Sequence, residues 1–234
     1  MLYCTPFLMW YDKERVVGSL CASSHNNVLA VEPAPHELCC TVSDWAMEMQ
    51  RKGLMRPLFT RIGQRSFHEE RFNFYVSGSP RAWAEADPDA LSYLISDERE
   101  VRLAPPSVRL ALRRLVDRGN EIVGSTLGPL LTELIVQGPN TSSQDWHVDQ
   151  KAQAGVPSNV NLTSSLSGGP PTEMVLTPCK SRQPTVPVGT WQMFYAVGDV
   201  HRGPENPFGS KWRVVLFLTY GGVTTDYPIP VSVE

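Results

Sequence analysis

The spacing of apolar residues changes character along the chain. Between Thr41 and Lys52, Val42, Trp45, Ala46 and Met49 fall at i, i+3, i+4 and i+7, the stripe of an amphipathic helix. Thr41 suits the N-cap, Asp44 the first turn, and Gly53 the C-terminal stop. Ser107 to Val116 repeats the pattern, with Val108, Leu112 and Leu115 or Val116 on one face behind Pro105-Pro106. Pro80 to Ile95 is a third helical stretch, interrupted at Pro88. Phe72 to Val76 reads as a strand. From about residue 130 the pattern turns to short strands between Gly/Pro-rich turns. They are Leu130 to Gln137, Trp146 to Gln150, Asn159 to Leu166, Glu173 to Thr177, Thr190 to Val197 and Trp212 to Tyr220. Such spacing predicts a sandwich or barrel. The expected architecture is mainly β with flanking helices, as one domain over 1–234. Residues 1–130 form its supporting region and 130–222 its strand core.

Composition narrows the classes. Hydrophobic residues at 41% and charged residues at 19% describe an ordinary globular chain and exclude a largely disordered one. A net charge of −3, with basic residues grouped only at Arg109, Arg113, Arg114 and Arg118, does not indicate a nucleic-acid partner. Five cysteines, two of them adjacent at Cys39-Cys40 and none in CxxC spacing, suggest neither a disulfide framework nor a zinc ribbon. The opening MLYCTPFLMW lacks a basic leader and is too short for a membrane span. A reducing, cytoplasmic compartment is the expectation. The sequons at Asn140 and Asn161 are cheap by chance and carry little weight.

The chemistry starts at His147-Val148-Asp149. On a strand, residues i and i+2 face the same side, so an imidazole and a carboxylate stand together. The bland alternative is a surface pair at a strand end. His201 follows the aromatic strand Thr190 to Val197 and sits where a strand gives way to a loop. It supplies a second imidazole, and two histidines with one carboxylate are the facial triad of non-haem iron sites. Otherwise it is a turn histidine. Arg213 opens an apolar strand and shares a face with Val215, Phe217 and Thr219. If that face is a barrel lumen, the guanidinium needs an anion there. Otherwise it reaches solvent from the strand end. His25, His36 and His68 have no partner pattern.

The ordered set resembles the 2-oxoglutarate/Fe(II) oxygenase superfamily: His-x-Asp on one strand, His about fifty residues on, Arg about a dozen further. Asp145-Trp146-His147-Val148-Asp149-Gln150, and the span from His201 through Asn206 to Arg213 and Tyr220, look most like its phytanoyl-CoA dioxygenase-like branch. The resemblance covers about residues 130–222. The chain departs from it twice. Thr177-Pro178-Cys179 stands where the branch often has Pro-Gly-Ser-His, and Val215 stands where some members have Ser.

The resemblance implies a double-stranded β-helix, a jelly-roll or cupin-like barrel. It implies Fe(II) held by His147, Asp149 and His201, with no catalytic side chain beyond these ligands. The far carboxylate of 2-oxoglutarate would pair with Arg213, with Gln137, Asn161 and Thr219 as candidate further contacts. O₂ is the remaining reactant. A C–H bond of a small molecule or peptide is then hydroxylated or otherwise oxidised, with release of succinate and CO₂. Asp149 argues against halogenation, which needs that ligand position free. Trp146, Arg202 and Trp191 are candidates for the substrate side, and the loop Arg202 to Lys211 for a rim or lid. Two rivals remain: a cupin-like metal barrel acting without 2-oxoglutarate, which has no use for Arg213, and a non-enzymatic binding module, which needs no metal.

Overall fold

The computed structural model describes residues 33–59, 67–78, 101–144, 146–149, 159–174, 186–196, 199–207 and 209–221, with side chains except at 56–59, 67–69 and 77–78. The helical expectation at Pro80 to Ile95 and the Thr177-Pro178-Cys179 segment lie outside the described residues.

Helix α1 spans His36–Arg51 and α2 spans Pro106–Val123. The strands are β1 (Arg56–Phe59), β2 (Phe67–Gly78), β3 (Leu131–Gln137), β4 (Val160–Ser165), β5 (Glu173–Met174), β6 (Trp191–Tyr195), β7 (His201–Arg202) and β8 (Arg213–Tyr220). Six of them form one antiparallel sheet in the order β1-β2-β3-β8-β4-β6. A smaller sheet pairs β5 with β7. Bridges at Thr141↔Asn206, His147↔His201 and Gly169↔Val186 widen it. From β3 onward the chain passes back and forth between the two sheets. That winding, with β8 between β3 and β4, is a double-stranded β-helix.

Strand alternation gives the main sheet two unlike faces. Phe74, Leu134, Val136, Leu162, Val214, Leu216, Leu218 and Tyr220 point to the outer face and are buried beneath the helices. Each such side chain removed from water contributes roughly 1.5–3 kcal/mol. Trp45 of α1 meets the Phe74 ring edge-on at 5.2 Å. On α2, Gly119 permits close approach: a Cβ there would lie 2.5 Å from Leu218 Cδ1 and 2.7 Å from the Tyr220 hydroxyl oxygen. The inner face is polar yet buried, with Arg71, Gln137, Asn161, Thr163, Arg213 and Thr219 all nearly inaccessible.

Several boundaries differ from expectation. Helix α1 begins at His36 after Pro35, not at Thr41. The buried Cys39 extends the apolar stripe by a turn, and the Thr41 hydroxyl donates back to the Glu37 carbonyl at 2.9 Å instead of capping. Helix α2 continues past Val116 through buried Gly119, Ile122 and Val123, and ends at Gly124, whose φ is +71°. Trp146 to Gln150 forms no strand among its described residues, only the bridge at His147. His201 does not end a strand but begins β7 of the second sheet. β2 pairs with β3, so the main sheet runs across residue 130. Among the described residues, no helix is long and apolar enough to cross a membrane.

Candidate metal centre

His147 and His201 are joined backbone to backbone, each N–H donating to the other's carbonyl at 3.0 and 2.9 Å. Residues facing each other in an antiparallel pair put their side chains on one side, and the two rings lie 4.6 Å apart. Asp149, two residues beyond His147, returns to that side. Its Oδ1 is 3.6 Å from His147 Nε2 and its Oδ2 is 3.4 Å from His201 Nε2. One ligand atom from each of the three residues falls within 4.8 Å of the others. His201 is buried, while His147 and Asp149 are half-buried.

The surroundings orient this set. His201 Nδ1 lies 2.9 Å from the Asp199 carbonyl. A proton on Nδ1 satisfies that contact and leaves the Nε2 lone pair toward Asp149. Phe194 packs its ring 4.4 Å from His201. Asn161 on β4 donates from Nδ2 to Asp149 Oδ2 at 2.6 Å. Burial works against the His201 cation, but Asp149, by hydrogen bond and charge, and then Asp199 outweigh it and raise its pKa above the ordinary value. A divalent cation would take the place of that proton, and two imidazoles with one carboxylate suit a first-row ion. Such an ion, bonded at roughly 2.1 Å, holds neighbouring donors about 3–3.5 Å apart. The residues present fit such an ion.

The same lumen holds Arg213, which is 5% exposed. Its Nε donates to the Pro170 carbonyl at 2.8 Å and its Nη1 to Gln137 Oε1 at 3.4 Å. Burial, and then the charge of Arg71, push its pKa down to about 9. The guanidinium is desolvated and met by neutral acceptors. Among the described residues no carboxylate pairs with it.

The structure thus brings together His147, Asp149, His201 and Asn161, and separately Arg213 and Gln137. Thr219 faces Asn161 across β8 and β4. Trp146 and Arg202 lie one step from the His147↔His201 bridge and face away from the lumen. There the Arg202 guanidinium sits 4.3 Å over the Trp146 ring and its Nε donates to Glu173 Oε2 at 2.5 Å. Trp191 is fully buried in the core under the helices. Sequence reasoning missed Arg71 on β2, 1% exposed, whose Nη2 donates to the Ser142 and Pro204 carbonyls at 2.8 and 2.7 Å. Its one signal was alternation with Asn73 and Tyr75 along β2. Gly203 lies against Arg71 and Gln144, with no room for a side chain.

No protein-family model and no curated protein sequence matches the chain. Solved structures do. One is a prolyl-4-hydroxylase from Pseudomonas putida, at 12% identity and TM-score 0.45, covering 81% of this chain and 89% of that one. A second is AviO1 from Streptomyces viridochromogenes Tue57, at 18% identity and TM-score 0.42, covering 88% and 93%. A third is a Trichoplax adhaerens prolyl hydroxylase in complex with a hypoxia inducible factor peptide fragment, at 13% identity and TM-score 0.45, covering 80% and 79%.

Proposed function

We propose that this chain is an Fe(II)- and 2-oxoglutarate-dependent oxygenase of the superfamily its sequence resembles, working as one domain and oxidising a C–H bond of a small molecule or peptide. The observation that carries this reading is one cluster of His147, Asp149 and His201 on the inner face of a barrel that also buries Arg213 without a described carboxylate partner. A cupin-like barrel of other chemistry has no use for that arginine.

When bound, iron would activate O₂, the oxidant, and 2-oxoglutarate would supply two of the four electrons that reduce it, leaving as succinate and CO₂, the substrate C–H bond supplying the other two. The chain's own residues bind and orient. His201 is held in one tautomer by the Asp199 carbonyl, and Asp149 is held by Asn161. Arg213 offers a planar fork to the far carboxylate of the co-substrate, which would supply the missing counter-charge. Gln137 fixes that fork from the side. Gln137, Asn161 and Arg213 are nearly inaccessible, and polar contacts among such buried groups are stronger than at the surface.

The test is succinate release by the purified chain with Fe(II), 2-oxoglutarate and O₂, across small-molecule and peptide substrates. Release that needs both Fe(II) and 2-oxoglutarate is the expected result. Metal-loaded protein that binds no 2-oxoglutarate would sink the oxygenase reading and return the cupin-like alternative.

A further inference from the structure

Arg71 stands at one end of a row that crosses three strands. It faces Gln137, and Gln137 faces Arg213, in the register of β2, β3 and β8. All three side chains are buried. The Pro204 carbonyl ties the row together, accepting from Arg71 Nη2 at 2.7 Å and from Gln137 Nε2 at 2.8 Å. Gln137 Oε1 in turn accepts from Arg213. The acceptors of Arg71 among the described residues are neutral carbonyls, at Ser142, Gly203 and Pro204. Among the described residues, no carboxylate pairs with either arginine.

Two guanidinium charges in one buried network repel, and each is costly to bury without a counter-ion. Carbonyl dipoles solvate Arg71 but do not cancel its charge. In a poorly polarisable interior that charge acts over distance. The repulsion contributes, after burial, to the depressed basicity of Arg213.

We propose that Arg71 is a positioning residue and second cationic determinant of the anion subsite at Arg213. It acts by fixing Gln137 and Pro204 and by its charge, so that this end of the lumen selects a 2-oxo acid with an anionic far end over one without. The proposal rests on reading Arg213 as the co-substrate anchor.

The experiment compares 2-oxoglutarate with 2-oxopentanoate, which keeps the 2-oxo acid and replaces the far carboxylate by a methyl group. Both are titrated without oxygen into the Mn(II)-loaded full chain, as parent, Arg71→Met and Arg71→Lys. The parent prefers 2-oxoglutarate. Arg71→Met lowers that preference about tenfold, ~1.4 kcal/mol, with Mn(II) and 2-oxopentanoate affinities unchanged. Arg71→Lys, which keeps the charge, holds the preference within about threefold. A purely structural role would weaken both ligands together and leave their ratio alone. An unchanged ratio in Arg71→Met therefore overturns the proposal, while the anchor reading survives. A ratio lost in Arg71→Lys overturns it too, and this variant decides the matter should the Met variant not fold. A parent without any preference overturns the anchor reading and the proposal together.

Discussion

Asp149 is held by more than its place beside His147. Asn161 Nδ2 donates to its Oδ2 at 2.6 Å, so the carboxylate is turned before any ion arrives. Groups that orient a ligand in this way typically contribute about 10–100-fold to metal affinity. Asn161→Leu is therefore expected to weaken Mn(II) binding about tenfold. Asp149→Ala, His147→Ala and His201→Ala each remove a ligand and should weaken it further. Calorimetric titration with Mn(II) checks both, and parent-like affinity in Asn161→Leu would show that the bond holds nothing. Arg213 separates from this group. Removing one partner of a buried charge pair typically costs about 3–5 kcal/mol, so Arg213→Ala should weaken 2-oxoglutarate by roughly two to three and a half orders of magnitude. Mn(II) affinity should hardly move, because Arg213 is no ligand. Arg213→Lys should rescue in part, since a point charge replaces a planar fork. Equal 2-oxoglutarate affinity in parent and Arg213→Ala would remove the main support of the oxygenase reading.

At the scale of elements, α2 lies close on the sheet because Gly119 has no side chain. Gly119→Val would overpack against Leu218 and the Tyr220 hydroxyl, whose bond to Asn120 Oδ1 is 3.1 Å. The expected loss is about 1–3 kcal/mol, read as a lower urea midpoint at unchanged slope. Gly119→Ala should lose less, because helix propensity returns about 1 kcal/mol. A Val variant as stable as the parent would contradict the packing. The same glycine shows why helix ends were poorly legible in the sequence. The stripes of α1 and α2 could be read from Val42, Trp45 and Ala46 and from Val108 and Leu112, because spacing alone encodes them. That Gly119 continues a helix depends on what lies beneath it, which no local pattern carries. Strand β8 was legible through its alternation from Arg213 to Thr219. The second sheet was not, since β7 has two residues and its neighbours join by single bridges, too short for any period. His147, Asp149 and His201 could be brought together from spacing and resemblance. Arg71 could not, because nothing near it says that β2 faces a lumen. Nor does an aromatic strand reveal which face holds the core, so Trp191 stood as a pocket candidate although aromatic residues in strands are more often core, as it is here.

The whole molecule has two interiors that bear on stability in opposite ways. Between the helices and the outer sheet face the contacts are apolar and favourable. Inside the barrel, Arg71 and Arg213 are desolvated cations among neutral acceptors, and such groups cost stability until an anion joins them. A protein so arranged should gain markedly from its ligands. With Mn(II) and 2-oxoglutarate each at about a hundred times its Kd, each should add about 2.7 kcal/mol. At this chain length one kcal/mol moves Tm by roughly 2–4 °C, so each ligand should raise it by about 5–10 °C. Arg213→Met keeps an unbranched apolar stem, shorter than arginine's, and removes the charge. It should leave the ligand-free protein as stable as the parent or more so, because replacing a buried charge by an apolar group is often neutral or favourable. It should keep the Mn(II) increment and lose the 2-oxoglutarate increment, whereas His201→Ala should lose both. Thermal unfolding of the three proteins, with each ligand alone and together, gives the comparison. If Arg213→Met destabilises the ligand-free chain by several kcal/mol, the arginine belongs to the structural core and not to a site waiting for an anion. If its 2-oxoglutarate increment equals that of the parent, the anion sits elsewhere.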